Sequence, residues 1–390
     1  MKTVGILGGG QLGLLLSQSL ARLGAHTIVY DSDKCAPSHR HTARSFVYPF
    51  DDLEQLKKFD NACDVITYEF EHLPLEPLKS LTAAKLKPGL LALSVAQDRL
   101  IEKQYLKDKG FPLADFAPIS GADFVLQIQD FGFPCMLKTI RGGYDGKGQI
   151  RLTDQKALSQ NQDAIARRLA KGDVMVVERL IDLECEVSCI VARSKHEHVL
   201  MPIFQNVHKD SILDTTVCPA SLPAETLAVV REVALGVAQS LDIEGLLTVE
   251  FFIDKDKSKG QSGVLINELA PRPHNSGHLS VSAFNLSQYD LLARVLLDLP
   301  LAEPEPISTD SFAMANIMGD LYFDGEALKG LDMSALSKQP GFVDLVLYGK
   351  SEPRKARKMG HLVARGKTPG EALSCARALR DGLSFARTNG

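Results

Sequence analysis

The sequence lacks several features that define whole classes of protein. No apolar run approaches the roughly 20 residues of a membrane-spanning helix, and the first ten residues have no signal-peptide pattern. The net charge of −4 comes without a broad basic field, so we do not expect a nucleic-acid partner. No internal repeat or low-complexity tract is evident. These absences favour a cytoplasmic protein without a membrane or nucleic-acid partner.

Paired cysteine motifs are absent as well. The seven cysteines are scattered, odd in number, and contain no CxxC pair. A disulfide framework or a zinc ribbon is therefore not predicted, and reduced thiols in a cytosolic protein fit better.

The N-terminus predicts a βαβ unit with a glycine turn. An apolar strand over residues 2–7 leads into GGGQLG (residues 8–13), a helix, and a second strand that ends at Asp31. The turn exposes backbone N–H groups at a helix N-terminus, which favours an anion. Its spacing matches the dinucleotide fingerprint, and Asp31 stands where a ribose-binding acid would be. Gln11 inside the turn favours a smaller ligand, and both interpretations stay open.

A further strand is predicted over residues 64–70, with Glu69 at its C-terminal end. This is the edge where open α/β sheets bind ligands, so Glu69 is a candidate site carboxylate or a solvated strand end. A structural helix is predicted over residues 75–82. Another helix, opening at Asp98, carries Arg99, whose default interpretation is a surface charge.

A second domain contains a glycine-rich loop. The strand over residues 133–138 ends in Lys138, and four glycines occur within the next segment, residues 141–149. Such a backbone can close over phosphate oxygens, with Lys138 and Lys147 adding charge. The alternative is a flexible hairpin tip. The Walker pattern is absent.

Two later strands, over residues 246–253 and 263–269, predict a hairpin centred near Lys259. Glu250 and Glu268 would then stand opposite each other on one face. Close carboxylates repel, and a bridging Mg²⁺ would remove that penalty.

Two polar segments complete the set of candidates. Residues 206–210 are predicted as a polar segment between strands, in which His208 is a ligand contact or a loop histidine. The turn after Glu268 carries Arg272 and His274, which suit anions and metal. Residues 350–358 contain five Lys or Arg, either a solvated face or a clamp for one phosphate monoester.

The predicted fold class is α/β and α+β, with three domains. A Rossmann-like parallel-sheet domain covers residues 1–102, a second domain covers 103–298, and a small C-terminal domain covers 299–390. Further helices are predicted over residues 98–109, 223–241, 288–297 and 369–379.

Together the motifs resemble the ATP-grasp enzymes, and among them the N5-carboxyaminoimidazole ribonucleotide synthetases of purine biosynthesis. The resemblance extends over essentially the whole chain and rests on GGGQLG (8–13), YEFEHLP (68–74), DR (98–99), GGYDGKGQ (142–149), NELAPRPHNSGH (267–278) and KSEPRKARKMGH (350–361). One departure is His72, where the family motif more often has Asn.

The resemblance implies a homodimer that uses ATP and bicarbonate to carboxylate 5-aminoimidazole ribonucleotide, releasing ADP and phosphate. It implies Mg²⁺ on Glu250 and Glu268. The implied ATP site comprises Arg99, Lys138, Gly143, Tyr144, Asp145, Gly146, Lys147, Gly148, Gln149, Glu178, Arg179, Leu180, Ile181, Glu186, His208, Asn267 and Glu268. The implied surroundings of the ribonucleotide and bicarbonate comprise Gln11, Leu12, Glu69, Tyr144, Asp145, Arg272, His274, Asn275, Lys350 and Arg357.

Roles follow for some of these residues. Arg272 and His274 would hold bicarbonate or carboxyphosphate, Asp145 would orient the substrate amine or take its proton, and residues 142–148 would close as a lid. Three alternatives stay open: another ATP-grasp ligase such as the formate-dependent glycinamide ribonucleotide transformylase, an NAD-binding oxidoreductase, and a non-catalytic nucleotide-binding regulator.

Overall fold

The computed structural model describes residues 1–143, 148–257, 263–334 and 336–383. Within these ranges, no helix is both long and apolar enough to cross a bilayer.

The N-terminal unit is a four-stranded parallel sheet in the order β3-β2-β1-β4, which confirms the Rossmann-like prediction. Its strands are short and apolar because helices and neighbouring units cover both faces. The elements are β1 (Thr3–Leu7), α1 (Gln11–Arg22), β2 (His26–Tyr30), β3 (Arg44–Phe46), α2 (Leu53–Ala62), β4 (Val65–Tyr68), α3 (Leu75–Leu78) and α4 (Leu90–Ala96).

The helix predicted over residues 75–82 is too long. Helix α3 ends at Leu78, and a 3₁₀ turn follows over Ala83–Lys85. The buried carboxylate of Asp60 accepts hydrogen bonds from the backbone N–H and the hydroxyl of Thr82, at 3.0 and 2.8 Å. These side-chain bonds replace the helical ones and turn the chain.

A small antiparallel sheet in the order β5-β8-β6-β7 comes next. Helix α5 begins where the Asp98 carboxylate caps the backbone N–H groups of Leu100 and Ile101. The elements are α5 (Arg99–Asp108), β5 (Phe116–Ile119), α6 (Phe124–Phe131), β6 (Cys135–Thr139), β7 (Gln149–Leu152), α7 (Gln155–Leu169) and β8 (Met175–Arg179).

A large antiparallel sheet follows, in the order β14-β13-β9-β11-β12-β15-β19-β18, with β10 paired to β9. The first part comprises β9 (Leu183–Arg193), β10 (His198–Leu200), β11 (Phe204–Lys209), β12 (Ile212–Cys218), α8 (Ala224–Ser240), β13 (Gly245–Asp254), β14 (Val264–Ala270), α9 (Ser280–Ala283) and α10 (Gln288–Leu296). The C-terminal part comprises β15 (Ser311–Met318), β16 (Phe323–Asp324), β17 (Ala327–Leu328), β18 (Phe342–Leu347), β19 (Lys358–Gly366) and α11 (Pro369–Asp381).

The large sheet therefore joins the central and C-terminal parts of the chain, since β12 pairs with β15. One apolar core contains Leu15 of α1, Ile190 of β9, Leu291 of α10 and Val363 of β19. The N-terminal unit packs against this shared core, and its ligand-binding edge is fixed over the large sheet.

The prediction that residues 206–210 form a polar segment between strands is wrong, because residues 204–209 form strand β11. This strand pairs with both β9 and β12. Asn206 is buried and His208 half-buried. The polar residues look like a loop in the sequence because His208 faces a cavity and Asn206 is hydrogen-bonded behind it, so neither packs in an apolar core.

Candidate active site

A cavity of about 640 Å³ lies where the N-terminal unit, the small sheet and the large sheet meet. The ends of β1 and β4, the loop after β6, strand β11 and the β13–β14 hairpin all contribute to its wall. The cavity brings together many of the predicted residues: Gln11, Leu12, Glu69, Arg99, Lys138, Gly143, Gln149, Glu186, His208, Glu250, Asn267, Glu268, Arg272, His274 and Asn275.

Other predicted residues lie off this wall in the described part of the chain: Gly148, Glu178, Arg179, Leu180, Ile181, Lys350 and Arg357. Arg179 is turned toward Asp254, at 3.0 Å. Tyr144, Asp145, Gly146 and Lys147 lie outside the described residues. The role of each of these residues stays a prediction.

The paired carboxylates are where the hairpin prediction put them. Glu250 on β13 is directly opposite Glu268 on β14, and the register then shifts so that Asn267 is an extra residue on β14. Such a bulge re-aims side chains next to a site. Burial and the charge of Glu268 together raise the pKa of Glu250.

This pair fits a divalent cation on chemical grounds. Two facing carboxylates in a buried site cost free energy, and a cation between them removes that cost. The Asn267 Oδ1 atom is buried beside them without a partner among the described residues, and oxygen ligands are those that Mg²⁺ prefers. The described ranges contain no group of three or more His, Cys, Asp or Glu side chains arranged for a metal. Substrate oxygens or water would therefore complete the coordination.

His274 connects the following turn to the pair, since its Nε2 lies 3.1 Å from Glu250 Oε1. Burial and the charge of Arg272 hold the pKa of His274 well below its usual range, so the ring is neutral at pH 7. Asn275 next to it lines the cavity, and both of its side-chain polar atoms are buried without partners in the described part of the chain. Asn275 is therefore ready to bind a polar ligand.

Arg99 links three parts of the wall. Its guanidinium donates to Glu268 Oε2 at 3.2 Å and to the carbonyl of Gly143 at 2.8 Å. It is largely buried, which makes it a fixed cation at the mouth of the glycine-rich loop rather than a surface charge.

Lys138 forms part of a buried charge cluster. Its Nζ lies 3.0 Å from Glu178 Oε2, and Lys103 Nζ lies 3.1 Å from the same oxygen. Burial opposes ionisation of Glu178, but the two ammonium charges outweigh it and lower its pKa to about 2. Glu178 Oε1 remains buried and without a partner among the described side chains. Two lysines on one carboxylate leave excess positive charge beside the cavity.

Glu186 and His208 form a second pair on the opposite wall, with His208 Nδ1 2.7 Å from Glu186 Oε2. Burial alone would lower the pKa of His208, but the Glu186 carboxylate beside it outweighs burial and raises it. The pair presents polar atoms to a ligand at neutral pH.

The glycine turn is occupied by the chain's own carboxylates. Glu69 accepts hydrogen bonds from the backbone N–H groups of Gly10 and Gly13, the latter at 2.6 Å, and Asp31 accepts from Gly9 at 2.6 Å. A Cβ on Gly10 would meet Glu69 Oε1 at 2.5 Å, so this approach requires glycine. A dinucleotide phosphate would need those same N–H groups, and the turn is therefore not arranged as an NAD site.

Arg272 is held by a carboxylate from the N-terminal unit. Its Nη2 donates to Glu71 Oε1 at 2.7 Å, and its Nε donates to the second oxygen. Burial would raise the pKa of Glu71, but Arg272 lowers it to about 2. One edge of the guanidinium is thus fixed, and its position depends on the N-terminal unit.

The basic segment approaches the cavity through Lys358, which lines it. Lys350 Nζ donates to the carbonyl of Lys358 at 2.9 Å and lies over the ring of Tyr348. Arg357 donates to the carbonyl of Glu352 at 2.7 Å. These bonds shape the segment into a compact cationic loop at the edge of the cavity.

Sequence reasoning missed Glu102 on the wall and Lys103 behind it. Glu102 accepts from the backbone N–H of Leu269 at 2.9 Å. The available signal was helical spacing, because Arg99, Glu102 and Lys103 lie within one turn of α5 and share a face. A carboxylate and a lysine flanking Arg99 are unusual on a face that is buried.

The chain matches three family models in order. These are the ribonucleotide synthetase preATP-grasp domain over residues 1–97, the ATP-grasp domain over residues 104–289, and the phosphoribosylaminoimidazole carboxylase C-terminal domain over residues 313–374. It is 35% identical over 367 residues to the N5-carboxyaminoimidazole ribonucleotide synthase of Staphylococcus aureus (strain COL), covering 92% of this chain and 91% of that protein.

Solved structures agree with this similarity. The N5-carboxyaminoimidazole synthetase of Staphylococcus aureus complexed with ADP superposes with a TM-score of 0.86 at 31% identity, covering 97% of both chains. The Aspergillus clavatus enzyme in complex with ADP and 5-aminoimidazole ribonucleotide gives a TM-score of 0.82 at 27% identity, covering 98% of both chains.

The fold and the cavity thus define an ATP-grasp ligase, in which a small antiparallel sheet and a large one enclose a nucleotide site. The family models that match the N-terminal and C-terminal units identify one family within this class of ligase. The chain belongs to the N5-carboxyaminoimidazole ribonucleotide synthase family.

Proposed function

We propose that this protein catalyses the ATP- and bicarbonate-dependent carboxylation of 5-aminoimidazole ribonucleotide in purine biosynthesis. The observation that carries the proposal is one cavity in which a carboxylate pair, a buried lysine and arginine, and the glycine turn of the N-terminal unit all converge. Relatives at 31% and 27% identity have been solved with ADP, and with ADP and 5-aminoimidazole ribonucleotide, which supports the proposed co-substrate and substrate.

ATP is the co-substrate at the end formed by the two sheets. Lys138, Arg99 and the loop after β6 supply the positive charge and N–H groups that phosphate oxygens need. Glu178 and the segment to Ile181 are proposed for the adenine and ribose, with Glu186 and His208 opposite them. Glu178 Oε1 is an acceptor that lacks a partner in the described residues.

Glu250 and Glu268 are the proposed Mg²⁺ ligands, and Mn²⁺ would suit the same oxygens. The ion would neutralise charge on the phosphates during transfer. Arg99, which already contacts Glu268, would keep that carboxylate oriented.

The chemistry begins when a bicarbonate oxygen attacks the γ-phosphorus of ATP and the bond to ADP breaks, giving carboxyphosphate. The amine of the ribonucleotide then takes the carboxyl carbon, inorganic phosphate leaves, and the amine loses a proton. Arg272 binds the anionic carbon donor with the guanidinium hydrogens that neither Glu71 nor the carbonyl of Pro273 accepts. Asn275 supplies neutral hydrogen-bonding groups beside the uncharged ring of His274, which suits an intermediate that must be kept from water.

The ribonucleotide is proposed to lie against Gln11, Leu12 and Glu69, with its 5′-phosphate on the cationic loop of Lys350 and Arg357. Tyr144 and Asp145 belong to the segment proposed as a lid and are proposed to contact the amine. Asp145 is the proposed orienting group or proton acceptor.

We also propose a homodimer and a cytoplasmic location. All seven cysteines are free thiols, as expected in a reducing compartment. The three proposed domains keep the boundaries 1–102, 103–298 and 299–390.

Release of ADP with Mg-ATP, bicarbonate and 5-aminoimidazole ribonucleotide tests the function, with each component omitted in turn. We expect turnover that needs both the ribonucleotide and bicarbonate. Formate with glycinamide ribonucleotide serves as the control pair. Turnover only with formate and glycinamide ribonucleotide would overturn the proposed substrate. Absence of turnover with every acceptor tested would overturn it as well.

A further inference from the structure

A chain of buried hydrogen bonds crosses the large sheet behind the active site. Thr216 Oγ1 donates to Asn206 Oδ1 at 3.0 Å, and Asn206 Nδ2 donates to Ser188 Oγ at 3.0 Å. Ser188 Oγ donates to Ser276 Oγ at 2.8 Å. All four side chains are at most 4% exposed, so no solvent competes for these bonds.

This row of hydrogen bonds ends at His274, which itself lies next to a carboxylate of the cavity. Ser276 Oγ lies 2.9 Å from His274 Nδ1, and His274 Nε2 lies 3.1 Å from Glu250 Oε1. The residues come from β12, β11, β9 and the turn after β14, so the large sheet itself holds the row together.

The direction of the bonds can be derived from the donors. The backbone N–H of Ser276, which can only donate, points at His274 Nδ1 at 3.3 Å. Nδ1 must therefore carry the lone pair, and the proton of the neutral ring is on Nε2. The Ser276 hydroxyl also donates to Nδ1, which leaves its oxygen to accept from Ser188. Every link then runs one way, from Thr216 toward Glu250.

We propose that Thr216, Asn206, Ser188 and Ser276 are positioning residues that hold His274 as the Nε2–H tautomer. In this state the Nε2–H of His274 faces Glu250 Oε1, and the ring does not act as a base through Nε2. One carboxylate oxygen of Glu250 is thereby oriented, and the other remains for a cation. The part that concerns the cation rests on the proposed function.

Histidine ¹⁵N chemical shifts test the tautomer directly and need no substrate or metal. Protein labelled with ¹⁵N-histidine is compared with His274→Gln, which assigns the His274 signals among the ten histidines. We expect the Nε2–H pattern at pH 7.5 in the wild type. In Ser276→Ala, which retains only the longer backbone bond to Nδ1, a share of the Nδ1–H tautomer should become visible. An Nδ1–H ring or an imidazolium in the wild type would overturn the proposal.

A graded series of variants gives a second readout. Removing an outer partner of a metal site typically costs 10- to 100-fold, so we expect Ser276→Ala to raise the half-saturating Mg²⁺ concentration at least about tenfold. Ser188→Ala should have a smaller effect, and Thr216→Val a smaller one still.

Thr215→Val is the matched control, because Thr215 is adjacent to Thr216, equally buried, and outside the chain of bonds. Each variant is first checked by its melting temperature. If Ser276→Ala fails to fold, Ser188→Ala and Thr216→Val carry the comparison. The positioning role would be overturned if Ser276→Ala, Ser188→Ala and Thr216→Val had the same half-saturating Mg²⁺ concentration as Thr215→Val. A protein that carboxylates some other amine would still give the tautomer result, so the two proposals fail separately.

Discussion

At the scale of single residues, buried charge is concentrated around the cavity and is mostly paired. Glu71 is paired with Arg272, and Glu178 with two lysines. Glu102 is an exception, because its Oε2 accepts only a backbone N–H and its Oε1 has no partner in the described ranges. Glu102 and Glu71 each make a separate prediction possible.

Glu102→Gln should stabilise the protein at high pH. Burial raises the pKa of Glu102 to about 8 against the opposing charge of Lys103. A carboxyl group whose folded pKa is raised contributes stability below its ordinary pKa, and that stability is lost as pH rises toward 8. Glutamine keeps the neutral shape at every pH.

The measurement is the melting temperature of Glu102→Gln and wild type between pH 5 and pH 8. Between pH 5 and pH 8 we expect the melting temperature of the variant to rise by at least about 2 to 4 °C relative to that of the wild type. A constant difference would show that Glu102 is ionised in the folded protein throughout.

Glu71→Gln should weaken bicarbonate binding. The variant loses the charge that fixes one edge of the Arg272 guanidinium, and a hydrogen bond to a charged group contributes about 1.5–3 kcal/mol. We expect KM for bicarbonate to rise about tenfold or more, with KM for ATP little changed. Glu76→Gln is the control, since Glu76 makes an exposed pair with Lys79. Equal effects on both substrates would contradict a specific role for Glu71.

At the scale of elements, the turn after β1 and the loop before β19 form the end of the cavity that is proposed for the ribonucleotide. The sequence predicted the parallel sheet, the glycine turn and the carboxylate hairpin, because each has a strong local period or a fixed spacing. It missed strand β11 because a strand whose polar side chains line a site has the composition of a loop. It also could not show that Glu69 occupies the turn, since that contact spans 59 residues.

Gly10→Ala tests the close packing of that turn. The added Cβ would lie 2.5 Å from Glu69 Oε1, and overpacking of this kind costs about 1–3 kcal/mol. We expect a lower melting temperature and a higher KM for the ribonucleotide. Gly89→Ala is the control, because a Cβ there meets nothing within 4 Å. A Gly10 variant that behaves like the Gly89 variant would show that Glu69 can move away freely.

Arg357→Ala tests the cationic loop. If Arg357 binds the 5′-phosphate, KM for the ribonucleotide should rise about tenfold or more while KM for ATP is unchanged. Arg354→Ala is the matched control in the same segment, where Arg354 pairs with Glu352 at the surface. If KM for ATP rose in parallel with KM for the ribonucleotide, Arg357 would not be part of the 5′-phosphate site.

At the scale of the whole molecule, one continuous sheet connects the proposed metal carboxylates to the strand that follows the cationic loop. Strand β14 carries Glu268 and β19 begins at Lys358, and both belong to this sheet. The domain division expected from sequence does not reveal this continuity, because strand pairing between distant segments leaves no local signal. The two ends of the cavity, proposed for the nucleotide and the ribonucleotide, are therefore held at a fixed separation, as transfer of a short-lived carboxyl group requires.

The most direct test of the proposed reaction follows oxygen from bicarbonate. In a single turnover with ¹⁸O-bicarbonate, Mg-ATP and 5-aminoimidazole ribonucleotide, attack on the γ-phosphorus transfers one bicarbonate oxygen to the phosphate that is released. We predict inorganic phosphate that carries one ¹⁸O atom, measured by mass spectrometry immediately after mixing. Phosphate without ¹⁸O, formed together with ADP and the carboxylated product, would contradict activation of bicarbonate by ATP in this site.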